Sequence, residues 1–158
     1  MEFHIQNWEV YGLNKSFIAS GNAMRTVMEQ NFLKPKDRDV KRSLSLARTA
    51  PGAGHDNFFN GIIVQFDLYA PLYMWKQLQR YHFLDFVSSQ STMHKLTSFN
   101  IKEQCVADTD EIILNRYQEI LDYYNSLDDL DVNKKPTWYK LVASLPSGFV
   151  LGATMTTN

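Results

Sequence analysis

The sequence predicts an α+β domain, strands packed with helices, and three stretches carry that prediction. Residues 62–68 alternate: Ile62, Val64, Phe66 and Leu68 share one face of a strand, with Ile63, Gln65 and Asp67 on the other. A helix then carries Leu72, Trp75, Leu78, Gln79 and His82 at spacings of three and four. A longer helix over 108–127 sets Ile113, Tyr117, Ile120, Tyr124 and Leu127 along one stripe.

Composition bounds the rest. With 158 residues the chain suits one domain with a proper core. Its 44% apolar and 21% charged residues read as globular. A formal net charge of −1 gives no electrostatic case for nucleic acid or a membrane surface. The sequence offers no apolar run of membrane-spanning length and no signal peptide at its start, so the cytoplasm is the expected compartment. Cys105 is the single cysteine, which excludes a disulfide framework and a cysteine metal cluster. His4, His55, His82 and His94 never fall four apart on a helix, and Asp128, Asp129 and Asp131 lack the spacing and closing glutamate of a calcium loop, so no metal is expected. A Walker phosphate loop, a dinucleotide glycine fingerprint and a nucleophile elbow are likewise missing from the sequence.

Read in order, the first residues alternate loosely as an edge strand. Asn22 can cap a short helix from Ala23 to Phe32, with Met24, Val27, Met28 and Asn31 on one side and Pro35 ending it. The basic segment 36–50 places Val40, Leu44 and Ala47 at helical spacing, a helix with a solvated basic face; the alternative is an anion-binding surface. Pro51-Gly52-Ala53-Gly54 breaks the chain before the strand at 62–68. Pro71 suits the first helical position, and Gln77 and Arg80, three apart, would project together. His82 and Asp85, one helical turn apart, could orient an imidazole, though a surface hydrogen bond is the plainer reading. The hydroxyl-rich residues 84–107 read as mainly loop. Asp108 can cap the following helix with Glu111 at its third position. Trp138 to Leu145 continues helically up to Pro146, and FVLGATMTTN is a final strand or the start of a helix.

One ungapped stretch, His55 to His82, carries more. Gly54-His55, Asn57, Asn60-Gly61, Pro71 and Gln77-Leu78-Gln79-Arg80-Tyr81-His82 line up with Gly-His-x-(Ser/Thr)-x-x-Glu-His, an alternating strand, Pro and Gln-x-x-Arg-His-Arg. A second block, Leu145-Pro146 followed by Thr156-Thr157-Asn158, matches Leu-Pro and a later Thr-x-Asn. In these features the chain resembles the flavin-dependent thymidylate synthases, also called thymidylate synthase-complementing proteins. The resemblance covers about a third of the chain and keeps the family's order. It implies a thymidylate synthase-complementing-like fold, with a central antiparallel or mixed sheet packed with helices. It further implies one domain over residues 1–158, lacking the family's C-terminal helix. In the family a homotetramer holds FAD and deoxyuridylate (dUMP) at subunit interfaces, a folate donates a one-carbon unit, and no protein cysteine serves as nucleophile. By position, the resemblance puts His55, Asn57, Asn60, Arg80, Tyr81, His82 and Asn158 around a flavin, and Gln77 and Arg80 near a nucleotide.

The departures concern charge. His-Arg of the signature is Tyr81-His82, which loses a permanent cation. Where the family has a serine, Asn-Glu, a second serine and Arg-Tyr, this chain has Asp85, Val87-Ser88, Gln90 and Thr92-Met93. A further family arginine falls at Val142. Losing charge-assisted contacts worth about 1.5–3 kcal/mol each should weaken phosphate binding. Three readings follow. One is a divergent relative with lost or altered activity that keeps flavin or nucleotide binding. Another is a non-catalytic interaction protein on the same fold, such as a viral or mobile-element factor with a host protein partner. The third is an active, FAD-dependent methylase converting dUMP to dTMP, with altered phosphate recognition through the basic segment 36–48. The family's tetramer and the 13% aromatic content favour a homo-oligomer, tetramer or dimer.

Overall fold

The computed structural model describes residues 2–28, 34–50 and 52–158. Among them, β1 (His4–Tyr11), β2 (Ile63–Pro71), β3 (Leu84–Ser89) and β4 (Val150–Thr157) form one antiparallel sheet in the order β1-β2-β4-β3. The helices are α1 (Leu13–Ala19), α2 (Asp37–Leu46), α3 (Leu72–Leu78), α4 (Thr92–Lys95), α5 (Ile101–Gln104), α6 (Glu111–Ser126) and α7 (Lys134–Ala143). The chain divides into two compact units: residues up to Gln6 with Asp67–Met155, and Asn7–Phe66 with Thr156–Asn158. The strands β1, β2 and β4 each cross the boundary within their own length.

The first unit holds the main core. Leu114, Tyr117, Ile120 and Leu121 of α6 pack with Leu141 of α7, Ile101 and Cys105 around α5, and Leu96 and Phe149. The α6 stripe is rotated from the expected one. Tyr117 and Ile120 are buried as predicted, but Ile113 is exposed and Leu114 and Leu121 face inward. The Asp110 carboxylate, not Asp108, caps α6 by accepting the Ile112 N–H at 2.7 Å. Residues before it are drawn into a turn closed by the Thr109 N–H donating to the Val106 carbonyl. At the other end the Lys134 Nζ donates to the Tyr124 and Leu127 carbonyls at 3.1 and 2.7 Å, placing a cation where the helix dipole is negative.

Two segments differ from the expected pattern. Residues 84–107 are not mainly loop: they form β3, α4, a 3-10 turn and α5. As the outer strand of the sheet, β3 is largely exposed, so it needs no apolar alternation. The hydroxyl and amide residues instead act as caps: Ser91 accepts the His94 N–H and Asn100 accepts the Lys102 N–H. Pro71 closes β2 in extended conformation and precedes α3 as its cap, rather than opening the helix. The α3 helix stops at Leu78, not His82, because the Arg80 and Tyr81 N–H groups donate to Gln77 and Leu78 carbonyls and tighten the chain into a turn. His82 and Asp85 therefore share no helix.

In the second unit, Gly12 enters α1 at φ +74°, and an ideal Cβ there would lie 1.9 Å from the Gly61 carbonyl oxygen, so glycine is required twice over. Asn22–Met24 form only a 3-10 turn, after which Arg25 is extended; the rest of the predicted 23–32 helix includes residues outside those described. The β1 strand lies at the sheet edge, as the opening alternation suggested.

The core makes a direct prediction. Leu141 is fully buried, whereas Leu130 is 97% exposed. Leu141→Ala should cost about 2–5 kcal/mol in urea unfolding and Leu130→Ala less than about 0.5.

Candidate functional site

The site begins in α2, whose inward face is polar. Asp39 and Ser43 are its buried residues, while Leu44, expected inside, is 52% exposed. Asp39 explains the rotation. Its Oδ1 accepts from the Arg42 Nη2 at 2.6 Å and the Arg25 Nη2 at 3.1 Å, and its Oδ2 accepts the Lys36 N–H at 3.0 Å. Burial alone would raise the Asp39 carboxyl. The Arg42 hydrogen bond, the Lys36 N–H and the two guanidinium charges outweigh it and hold the group below the usual carboxylate range. Arg25 also donates to the Ile18 carbonyl and the Asn22 side chain at 2.6 and 2.9 Å. The Arg42 Nε reaches the Ser20 Oγ at 3.2 Å, and Ser20 meets Ser43 at 3.0 Å. The cluster thus sets two guanidinium groups against one carboxylate.

Beside it lies a cavity of about 460 Å³. Ser20, Arg42, His55 and Asn57 supply its polar wall, and Met24, Leu46 and Phe58 most of its apolar one. Phe58 is braced by Phe17 and Phe59, at ring-centroid distances of 6.3 and 4.4 Å. The volume lies within the usual range of small-molecule sites, about 300–1,000 Å³. Two predicted site residues, His55 and Asn57, thus line one cavity with Arg42, a cation of the basic run 36–50. Asn60 sits in the same 3-10 turn, Asn57–Gly61, and Asn158 is the exposed residue following β4. In the first unit, Gln77 occupies the last turn of α3, and Arg80, Tyr81 and His82 follow it as exposed turn residues. The helical pairing expected of Gln77 and Arg80 is replaced by a backbone bond between them, at 3.2 Å.

A second, smaller concavity of about 250 Å³ lies in the first unit, against β2, β4 and the end of β3. Asp67, Tyr69, Ser88, Gln90 and Thr154 line it. Gln90 extends the sheet ladder: its N–H donates to the Gly152 carbonyl at 2.9 Å and its Oε1 accepts the Gly152 N–H at 2.8 Å. An ideal Cβ on Gly152 would come within 2.7 Å of the Tyr69 ring, so glycine lets that ring lie over β4, where His4 stacks on it at 4.5 Å. The Thr154 hydroxyl donates to Asp67 at 2.6 Å. Ser88 and Gln90 stand where the resembled signature has its glutamate and second serine. With Asp67 as the one charged group in its lining among the described residues, this concavity suits a neutral polar ligand better than a phosphate. The sequence shows Arg42 only as one member of a basic run, solvated or anion-binding, and does not single out Phe58, Tyr69 or Thr154. The available signal was the Asp39-Arg42-Ser43 spacing, which puts a carboxylate, a guanidinium and a hydroxyl on one helical face.

No protein-family model matches the chain, and no curated protein matches it by sequence. Solved structures do match it by fold. Flavin-dependent thymidylate synthase ThyX from Helicobacter pylori, complexed with FAD and dUMP, superposes with a TM-score of 0.61 at 12% identity, covering 100% of this chain and 79% of that one. A second structure of the same enzyme with FAD and dUMP gives 0.62 at 11% identity, covering 100% and 78%. The UMP/dUMP methylase PolB from Streptomyces cacaoi, bound with 5-Br dUMP, gives 0.55 at 11% identity, covering 99% and 73%. The fold expected from the resemblance is the fold observed.

Asp39 supports a prediction with a definite sign. Its pKa is depressed on folding, so its contribution is present above the unfolded carboxylate value, about 3.9, and is lost as pH falls through the lower folded value. Asp39→Asn should lower unfolding stability by about 3 kcal/mol at neutral pH. Urea unfolding of both proteins should show that gap shrinking as the pH falls below about 3.9; a gap independent of pH would mean the ion pairs contribute nothing.

Proposed function

We propose that the chain is a divergent relative of the flavin-dependent thymidylate synthases that keeps a flavin or nucleotide site and has lost, or altered, methyl transfer. One observation carries the reading: His55 and Asn57, assigned to the flavin side by motif position, line a single cavity of ligand size with a cation on its wall. The whole-chain fold match supports it. The donor set fits the cofactor. Phe58 and Met24 can pack on an aromatic ring system, Asn57 and His55 can hydrogen-bond its polar edge, and Arg42 can meet a phosphate. A flavin held there would supply hydride-transfer chemistry. By motif position alone, Asn60, Arg80, Tyr81, His82 and Asn158 are further candidates for flavin contact, and Gln77 and Arg80 for nucleotide contact. Loss of the family's arginines at His82, Thr92 and Val142 supports the loss of turnover on a dianionic substrate. In this reading the chain acts as one domain in the cytoplasm.

The interaction-protein reading has its own support. Edge strand β1 leaves Phe3, Ile5, Trp8 and Val10 in solvent around it, Trp8 being 69% exposed, and β3 leaves Phe86 and Val87 exposed at the opposite edge. Apolar surface at a sheet edge is a common docking place for another chain. Homo-oligomerisation would serve both readings, and sedimentation of the purified protein tests it.

The test of function is binding first and turnover second. Absorbance and fluorescence titrations with FAD, FMN and dUMP should show saturable binding of at least one, weakened about 10-fold by His55→Ala or Asn57→Ala. No binding and no thermal shift with any of them would end the ligand-site reading. Tritium release from labelled dUMP, given folate and reductant, should stay at background; release at an enzyme-dependent rate would restore the active methylase.

A further inference from the structure

We infer that Arg42 is the anion-contact residue of the second unit's cavity, and that this cavity selects ligands joining an aromatic body to a phosphate group. The inference rests on the ligand-site reading above and adds to it the cation that the signature positions no longer provide. Four observations carry it. Arg42 is spoken for at only two of its five N–H groups: Nε–H to Ser20 at 3.2 Å and one Nη2–H to Asp39 at 2.6 Å. The other three make no hydrogen bond among the described residues, and the side chain, 27% exposed, stands on the cavity wall. The charge is not cancelled, because Asp39 is shared with Arg25 and the three groups together keep one positive charge. Among the described residues, no carboxylate lines the cavity to compete for it.

The guanidinium is also pre-placed. Asp39 and Ser20 fix its orientation, and the chain leaves room for it with Gly21: an ideal Cβ there would lie 2.4 Å from the guanidinium carbon and Nη2. Its backbone at φ −99° would accept any residue, so the glycine serves the guanidinium rather than the turn. A cation held in place before the ligand arrives loses little freedom on binding, and a planar fork suits phosphate oxygens. Phe58, braced by two other rings, supplies the apolar surface for an aromatic body. An arginine present only to neutralise Asp39 would duplicate Arg25 and would need no access to a cavity.

FMN and riboflavin share one ring system and differ in the terminal phosphate, so their affinity ratio isolates this contact. The wild-type protein should bind FMN about 10- to 100-fold tighter than riboflavin. Arg42→Gln should bring the ratio near one, largely by weakening FMN, and Arg42→Lys should keep part of it, since an ammonium retains charge without the fork. Gly21→Ala keeps the arginine but displaces it, and should lower the ratio too; it decides the matter if Arg42→Gln does not fold by circular dichroism. The same comparison with dUMP and deoxyuridine applies if the protein binds nucleotide and not flavin. A wild-type ratio near one, or a ratio unchanged in Arg42→Gln and Gly21→Ala, overturns the role of Arg42 while the ligand site stands. Absence of binding by every one of these probes overturns the ligand site itself, and the role of Arg42 with it.

Discussion

A charged carboxylate cannot be removed from water without donors, and Asp39 is 3% exposed. That constraint organises the second unit. It draws α2 inward on its polar face, turns Leu44 out, brings Arg25 back from the chain after the 3-10 turn, and holds Arg42 against Ser20. Gly21 follows from the same demand, because the guanidinium occupies the space a side chain would fill. The cavity wall that carries His55 and Asn57 therefore shares its cation with an ion-pair cluster serving the fold.

The first unit is organised differently, around an apolar seam and a central strand. Phe149 and Val150 are fully buried at the start of β4, which lies between β2 and β3. The Leu72 N–H donates to the Phe149 carbonyl, so the start of α3 is tied to the entry of β4. Buried Gln104 donates to the Val150 carbonyl at 2.6 Å, satisfying that strand from the helical side. Tyr117 sits deep in this core, and desolvation, reinforced by neighbouring Cys105, pushes its phenol well above the ordinary value. Burial likewise raises the Cys105 thiol, leaving it in the less reactive protonated form. That agrees with a fold in which the cysteine packs rather than reacts.

Much of the site was legible as residue types and little of it as arrangement. His55 and Asn57 were identified from a spaced pattern, and they share a cavity because both belong to one tight turn region of the chain. The spacing pairs Gln77 with Arg80 and puts His82 on the Leu72 stripe of the same helix, but the helix ends sooner, since its carbonyls are taken by bonds of the next turn. Periodicity cannot report that event, because a final turn and a continuing helix present the same residue spacing over three positions. Arg42 was legible only as one member of a basic run, solvated or anion-binding. A basic run looks solvated in sequence, and only a carboxylate placed across the chain, with Arg25 at its other side, shows that one member of the run is held.

By itself the sequence determined the alternating strand at 62–68, the long amphipathic helix, the breaker ahead of the strand and the family-like order of its polar positions, because each depends on local spacing. Tertiary structure decided which face of α2 turned inward, where the start of α3 was tied, and that the hydroxyl-rich segment would become an edge strand with capped helices. Those outcomes depend on partners distant in the chain: Asp39 on Arg25, Gln90 on Gly152, α3 on Phe149. A buried charge or an open strand edge is satisfied by whatever donor the fold brings to it, and spacing along the chain does not record which donor that is.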